Sequence, residues 1–117
     1  MGSRSVLDEI TAKVVQAARE SLGDKLDKVI LYGSYARGDY DDESDIDIMV
    51  LADIPREDAN RLDMSLTGLT SRLGLEYDVV ISLFVKDCET FYKFLPVEPF
   101  YQNVIRDGVP LGAFRYT

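Results

Sequence analysis

Two segments decide how this chain reads: Leu31-Tyr32-Gly33-Ser34-Tyr35-Ala36-Arg37-Gly38 and, with ten residues intervening after Ser34, Asp45-Ile46-Asp47-Ile48-Met49-Val50-Leu51. The apolar, β-type run at residues 29–32 predicts a strand that stops at Gly33, where a residue without a side chain lets backbone approach a ligand. The amides that follow face outward from a short helix, and Ser34 adds a hydroxyl donor. Residues 38–44 are polar and acidic and read as a loop. Residues 45–51 predict a second strand, and Ile48-Met49-Val50-Leu51 is apolar on both faces, which puts this strand in the middle of a sheet. Period-two geometry sets Asp45 and Asp47 on one face, roughly 7 Å apart along the backbone. Ile46 and Ile48 then face the core.

Upstream, Ser5 is a candidate N-cap with Asp8 near the first-turn amides. Leu7, Ile10, Val14, Ala17, Ala18 and Leu22 recur at helical spacing, and Gly23 is the expected stop. Downstream, Pro55 opens a helix whose apolar positions are Ala59, Leu62, Leu66, Leu69 and Leu73, closed by Gly74. Residues 75–84 predict a third strand, residues 87–95 a short helix broken by Pro96, and residues 99–107 a last helix ending at Gly108. The order α, β, short α, β, α, β, α, α predicts an α/β (α+β) fold: a small mixed β-sheet with helices packed on it. With no repeat or linker, residues 1–117 read as a single domain.

The 117 residues carry 13 Lys plus Arg against 21 Asp plus Glu, a net charge of −8 with a pI near 4.4. That acidity argues against a surface that tracks nucleic acid, which needs clustered cations. There is no apolar run long enough for a membrane span, and no signal-peptide pattern at the N-terminus, where Met1-Gly2-Ser3 reads as a cloning remnant. One cysteine, Cys88, cannot form an internal disulfide and suits a reducing cytoplasm. With no histidine in the sequence, Ser-His-Asp triads, Cys-His pairs and His-ligated zinc are all excluded. Chemistry must run on carboxylates, hydroxyls and cations.

Taken alone, Gly33-Ser34 is an ordinary turn with an N-cap, and Asp45-Ile46-Asp47 an acidic strand edge. Two acids on an apolar central strand are costly unless a cation neutralises them, and oxygen-only ligands favour Mg²⁺, with Mn²⁺ as a substitute. Asp78, in Glu76-Tyr77-Asp78-Val79-Val80-Ile81, is expected early in the third strand, where it would complete a triangle of carboxylates. Glu76 has the same parity and is its rival. Arg37 either steadies a phosphate or pairs with Asp39, Asp42 or Glu43, and the acids at 39–43 form a solvated loop. Tyr35 either meets a substrate or packs structurally.

Gly33-Ser34, ten residues, then Asp45-Ile46-Asp47 is similar to the signature of the DNA polymerase β-like nucleotidyltransferase superfamily. The wider string, Gly33 to Gly38 with Ser44-Asp45-Ile46-Asp47, resembles the minimal nucleotidyltransferase (MNT) family, and nearly the whole chain fits that pattern, including Val104-Ile105-Arg106-Asp107-Gly108. The resemblance implies the nucleotidyltransferase (polymerase β-like) fold. It also implies that Asp45, Asp47 and Asp78 hold two Mg²⁺ ions and that Gly33, Ser34 and Arg37 bind the triphosphate of ATP. Asp78 would serve as general base on an incoming hydroxyl. MNT proteins of this size resemble antitoxins that transfer AMP onto a tyrosine of a HEPN-type toxin, so a toxin partner is expected, in a homo- or hetero-oligomer and without a nucleic-acid template. Two alternatives stay open: modification of a small hydroxylated molecule of antibiotic type with a partner subunit, and a non-catalytic module that masks a toxin. Eight of the twelve aromatics lie in the last 34 residues: Phe84, Phe91, Tyr92, Phe94, Phe100, Tyr101, Phe114 and Tyr116. Core packing is the expected role, given the helical spacing of Phe91, Phe94 and Leu95, with a binding surface as its rival.

Overall fold

The structure, a computed structural model, describes residues 4–112. A long helix α1 (Arg4–Leu22) is followed by a 3₁₀ turn and strand β1 (Leu26–Tyr32), then the four-residue helix α2 (Ser34–Arg37) and strand β2 (Ile46–Ala52). Helix α3 (Arg56–Tyr77), strand β3 (Ile81–Asp87), helices α4 (Cys88–Phe94) and α5 (Pro99–Asp107), and the short strand β4 (Val109–Pro110) complete the order. The expected sequence of elements is therefore present, with β4 added. The helix α1 starts one residue before Ser5, which lies within its first turn and not at its cap.

The four strands pair in the order β3-β2-β1-β4. β2 is central, as its two apolar faces require. It runs antiparallel to β1 and parallel to β3, the parallel step being carried by α3. One face of the sheet presents Val29, Leu31, Ile46, Ile48, Val50, Leu83 and Val85 to Leu7, Ile10 and Val14 of α1 and Ala59, Leu66 and Leu73 of α3. The other face presents Ile30, Tyr32, Met49 and Leu51 to Phe91 of α4 and Val104 of α5. Burying side chains of this size contributes about 1.5–3 kcal/mol each, and the two layers fix the faces on which Asp45 and Asp47 emerge.

The stretch 75–84 departs from expectation. α3 does not close at Gly74 but continues to Tyr77, and β3 begins only at Ile81. Two tertiary contacts explain this. Tyr77 donates from its hydroxyl to Glu9 Oε1 at 2.8 Å and accepts from Lys13 Nζ at 3.1 Å, tying the last turn of α3 to α1. A Cβ on Gly74 would lie 2.7 Å from the Val79 carbonyl oxygen, so this glycine makes room for the returning chain and does not stop the helix. Asp78 supplies the stop instead, in the left-handed conformation at φ 58°, ψ 50°.

The C-terminal aromatics also divide. Phe91 is fully buried and Tyr101 packs beside it, whereas Phe84, Phe94 and Phe100 are each more than two-fifths exposed. Phe91 of α4 and Val104 of α5 bury themselves against β1 and β2, and Phe84 on β3 stays exposed. Phe114 and Tyr116 lie outside the described residues.

Candidate active site

The antiparallel register sets Tyr32, the last residue of β1, opposite Asp47, the second residue of β2. The chain leaves β1 through Gly33 at φ 76°, ψ −154°, a region that is nearly exclusive to glycine. Space is equally restrictive, because a Cβ on Gly33 would overlap Oδ2 of Asp47. The Asp47 carboxylate is thus set against bare backbone. The amides of Ala36 and Arg37 both donate to the Gly33 carbonyl at 3.1 Å, which folds α2 tightly onto the strand end.

A cleft of about 380 Å³ opens at this point, lined by Tyr32, Gly33, Ser34, Arg37, Asp47, Phe100, Asn103 and Val104. Four of the expected site residues, Gly33, Ser34, Arg37 and Asp47, meet there. Burial pushes the Asp47 carboxyl above its ordinary value, the neighbouring Asp45 charge adds to this, and Arg37 opposes it. Burial, aided by the charge of Asp47, pushes the Tyr32 hydroxyl up to about 12, so Tyr32 stays a neutral hydroxyl at physiological pH. Arg37 pairs with Asp39 at 3.2 Å on the surface, the ion-pair alternative of its two expected roles, while also lining the cleft.

Asp45, expected on the strand face beside Asp47, is instead exposed one residue before β2 and lines a separate groove of about 600 Å³, with Asp42, Glu43, Ser44, Thr70, Ser71 and Asp78 among its walls. The loop leading to it is braced: Asp41 Oδ1 accepts from the Glu43 amide at 2.9 Å and from the Ser44 hydroxyl at 3.3 Å. Asp78 therefore shares a groove with Asp45, but it sits in the turn before β3 and not on the strand. The β3 residue in register with Asp47 is Ser82. Glu76 is exposed on the last turn of α3. Among the described residues no three carboxylates or thiols come close enough to hold an ion by themselves.

The donor set nonetheless fits Mg²⁺. Asp45 and Asp47 offer oxygen ligands only, and Asp47 is half-buried with the charge of Asp45 nearby. Mg²⁺ commonly takes one or two carboxylates and completes its shell with water and substrate phosphate. Two protein ligands are enough for such a site.

Tyr35 is buried and stacks on Tyr40 with ring centroids 4.3 Å apart, so it supports α2 from beneath. Sequence reasoning missed the far wall of the cleft, Phe100, Asn103 and Val104. Their spacing of three and four residues marks one face of α5, but nothing local says which strand end that face meets.

Residues 12–108 match the family described as the nucleotidyltransferase domain. A Methanocaldococcus jannaschii protein provisionally named protein adenylyltransferase MJ0604 is 37% identical over 94 residues, covering 80% of this chain and 86% of the relative. A second from that organism, MJ0141, bears the same provisional name and is 48% identical over 61 residues, which span 52% of this chain and only 60% of the relative. Among solved structures, one provisionally described as a minimal nucleotidyltransferase superposes with a TM-score of 0.57 at 25% identity, covering 94% of this chain and all of the other. A toxin–antitoxin structure with AMP-PNP shares the fold at a TM-score of 0.52 and 22% identity, over 88% of this chain and 73% of that one. With most of its length matched and its Gly-Ser turn and Asp-x-Asp strand gathered at one end of the sheet, the chain belongs to the nucleotidyltransferase domain family.

Proposed function

We propose that this protein is an Mg²⁺-dependent protein adenylyltransferase that moves AMP from ATP onto a tyrosine of a HEPN-type toxin, and so acts as its antitoxin. The observation that carries this reading is the half-buried Asp47 carboxylate, held against Gly33 in the cleft that also contains Ser34 and Arg37. Gly33 and Ser34 hold the β- and γ-phosphates, and Arg37 contributes a positive charge beside them. Asp45 and Asp47 hold the divalent cations, two in this family's scheme, whose charge lets a triphosphate enter a carboxylate-lined site that would otherwise repel it. Asp78, on the wall of the Asp45 groove, takes the proton of the acceptor hydroxyl. The acceptor oxygen bonds to the α-phosphorus as the bond from that phosphorus to the bridging oxygen breaks, and pyrophosphate departs. The relatives named for protein adenylylation and the fold shared with a toxin–antitoxin complex support a protein acceptor. The net charge of −8 favours a basic acceptor surface over a nucleic-acid template.

The test is mass spectrometry of a candidate HEPN partner after incubation with this chain, Mg²⁺ and each nucleoside triphosphate in turn. A gain of AMP on tyrosine is expected with ATP and is lost in Asp45→Asn and Asp47→Asn variants that keep their fold. Tight binding with no mass gain would replace this reading by toxin masking. Neither binding nor gain, with transfer to a small hydroxylated compound, would replace it by small-molecule modification.

A further inference from the structure

We propose that α5 supplies the nucleoside half of the nucleotide site, with Phe100 as the ring on which the base stacks and Asn103 as a hydrogen-bond donor beside it. This rests on the nucleotidyltransferase reading above. Phe100, Asn103 and Val104 present one face of α5 to the cleft. Val104 is buried against the sheet and anchors the helix, whereas Phe100 is 41% exposed in a cleft whose other end is charged. The ring of Phe100 meets Tyr32 at 5.6 Å and 75° and Tyr101 at 5.9 Å and 48°, contacts that hold it in place and leave two-fifths of it open. Since Tyr32 is the cross-strand neighbour of Asp47 and touches Phe100, the cleft joins carboxylate, hydroxyl and guanidinium on one side of Tyr32 to a partly exposed aromatic ring on the other. A nucleoside triphosphate has the same polarity, a charged tail and a flat aromatic head. The volume of about 380 Å³ falls within the range of roughly 300–1,000 Å³ usual for small-molecule sites. Phe94 and Val97 are exposed as well, but they do not line this cleft.

Asn103 is oriented by its neighbour. Arg106 Nη2 donates to Asn103 Oδ1 at 2.7 Å, and because a guanidinium can only donate, the carbonyl end of the carboxamide is the end committed to it. The amide NH₂ is left as a donor for an acceptor atom on the nucleoside.

The experiment is calorimetric titration of the full chain with Mg²⁺ and a non-hydrolysable ATP analogue, in parallel with Mg²⁺ and inorganic triphosphate. Phe100→Leu is expected to weaken the analogue by roughly 5- to 100-fold, the usual worth of base–aromatic stacking, while triphosphate affinity stays within about twofold of wild type. Phe100→Tyr keeps a ring and is expected to keep the affinity, and Asn103→Leu to weaken the analogue several-fold with triphosphate unchanged. If wild type binds the analogue and Phe100→Leu binds it equally well, this inference fails and the functional reading stands. Equal loss of both ligands in Phe100→Leu marks a structural role and also overturns it. So does unchanged analogue binding with impaired transfer, which would assign Phe100 to the acceptor. If wild type binds neither ligand, the functional reading itself fails and takes the inference with it.

Discussion

Replacing Gly33 with alanine separates two demands that this position meets at once. The first is conformational: at φ 76°, ψ −154° a residue with a Cβ is strained by about 1–3 kcal/mol. The second is steric, since the new Cβ would overlap the Asp47 carboxylate; that group is the end of a half-buried side chain, so it turns aside at little cost in stability but leaves its place in the cleft. The conformational demand therefore predicts a loss of about 1–3 kcal/mol from a fold whose total stability is of order 5–15 kcal/mol. Gly38 provides the control, because it too has a positive φ, 86°, but its Cβ would meet nothing within 4 Å. Gly38→Ala therefore meets no obstruction and, in the αL conformation at ψ 6°, carries a smaller conformational cost of about 1 kcal/mol. Urea denaturation of the two variants gives the difference, and calorimetric titration with Mg²⁺ and ATP shows whether the displaced carboxylate matters: at least a tenfold loss is expected for Gly33→Ala and little change for Gly38→Ala. Adding Asp47→Ala to Gly33→Ala removes the obstructing group, so the pair is expected to be less destabilised than the sum of the single changes. Equal stability of the two glycine variants, with ATP affinity preserved in both, would refute the account of Gly33 as the residue that seats Asp47.

Three further outcomes are expected. Burial and the adjacent Asp45 charge raise the Asp47 carboxyl, so its ionised form weakens the fold at neutral pH, and this cost disappears as pH falls below the folded-state value; Asp47→Asn is thus expected to melt no lower than wild type at pH 7 in EDTA while losing Mg²⁺-dependent transfer, and a clearly lower melting temperature would contradict the charge account. Asp63 Oδ2 accepts the Val85 amide of edge strand β3 at 3.0 Å; Asp63→Ala is expected to cost about 1–2 kcal/mol and to raise light scattering on storage as the edge opens to pairing, whereas Asp63→Asn, which keeps an acceptor, loses less. Asp78→Asn is expected to lower transfer by about 10²- to 10⁴-fold with ATP affinity unchanged, and undiminished transfer would remove Asp78 from the general-base role.

Much of the architecture was legible because it depends on short-range pattern. Ile48 to Leu51 is apolar without interruption, and only a strand covered on both sides can use such a run, so β2 had to be central. The three- and four-residue spacing in α1 and α3 named the buried face of each helix. Gly33 and Asp47 were legible as neighbours, because the geometry that unites them follows from one strand ending where the next begins. Residues 75–84 misled for a physical reason: Tyr77, Val79, Val80 and Ile81 are good β-formers, yet Tyr77 is held in helix by Glu9 and Lys13, nearly seventy positions earlier in the chain. Gly74 looked like a stop because its true requirement, the approach of the Val79 carbonyl, is not a property of its neighbours in sequence.

The same division runs through the site. Which residues are available for chemistry here, carboxylates and hydroxyls with no histidine, was decided by the sequence alone, as was the pairing of a bare turn with the acid at position 47. Tertiary structure alone decided that Ser82 and not Asp78 lies in register with Asp47, that Asp78 faces the Asp45 groove, and that Phe100 and Asn103 complete the cleft. Strand register and helix docking are set by how whole faces of side chains pack against one another, and a packing solution of that kind is written across distant segments, not within any one of them.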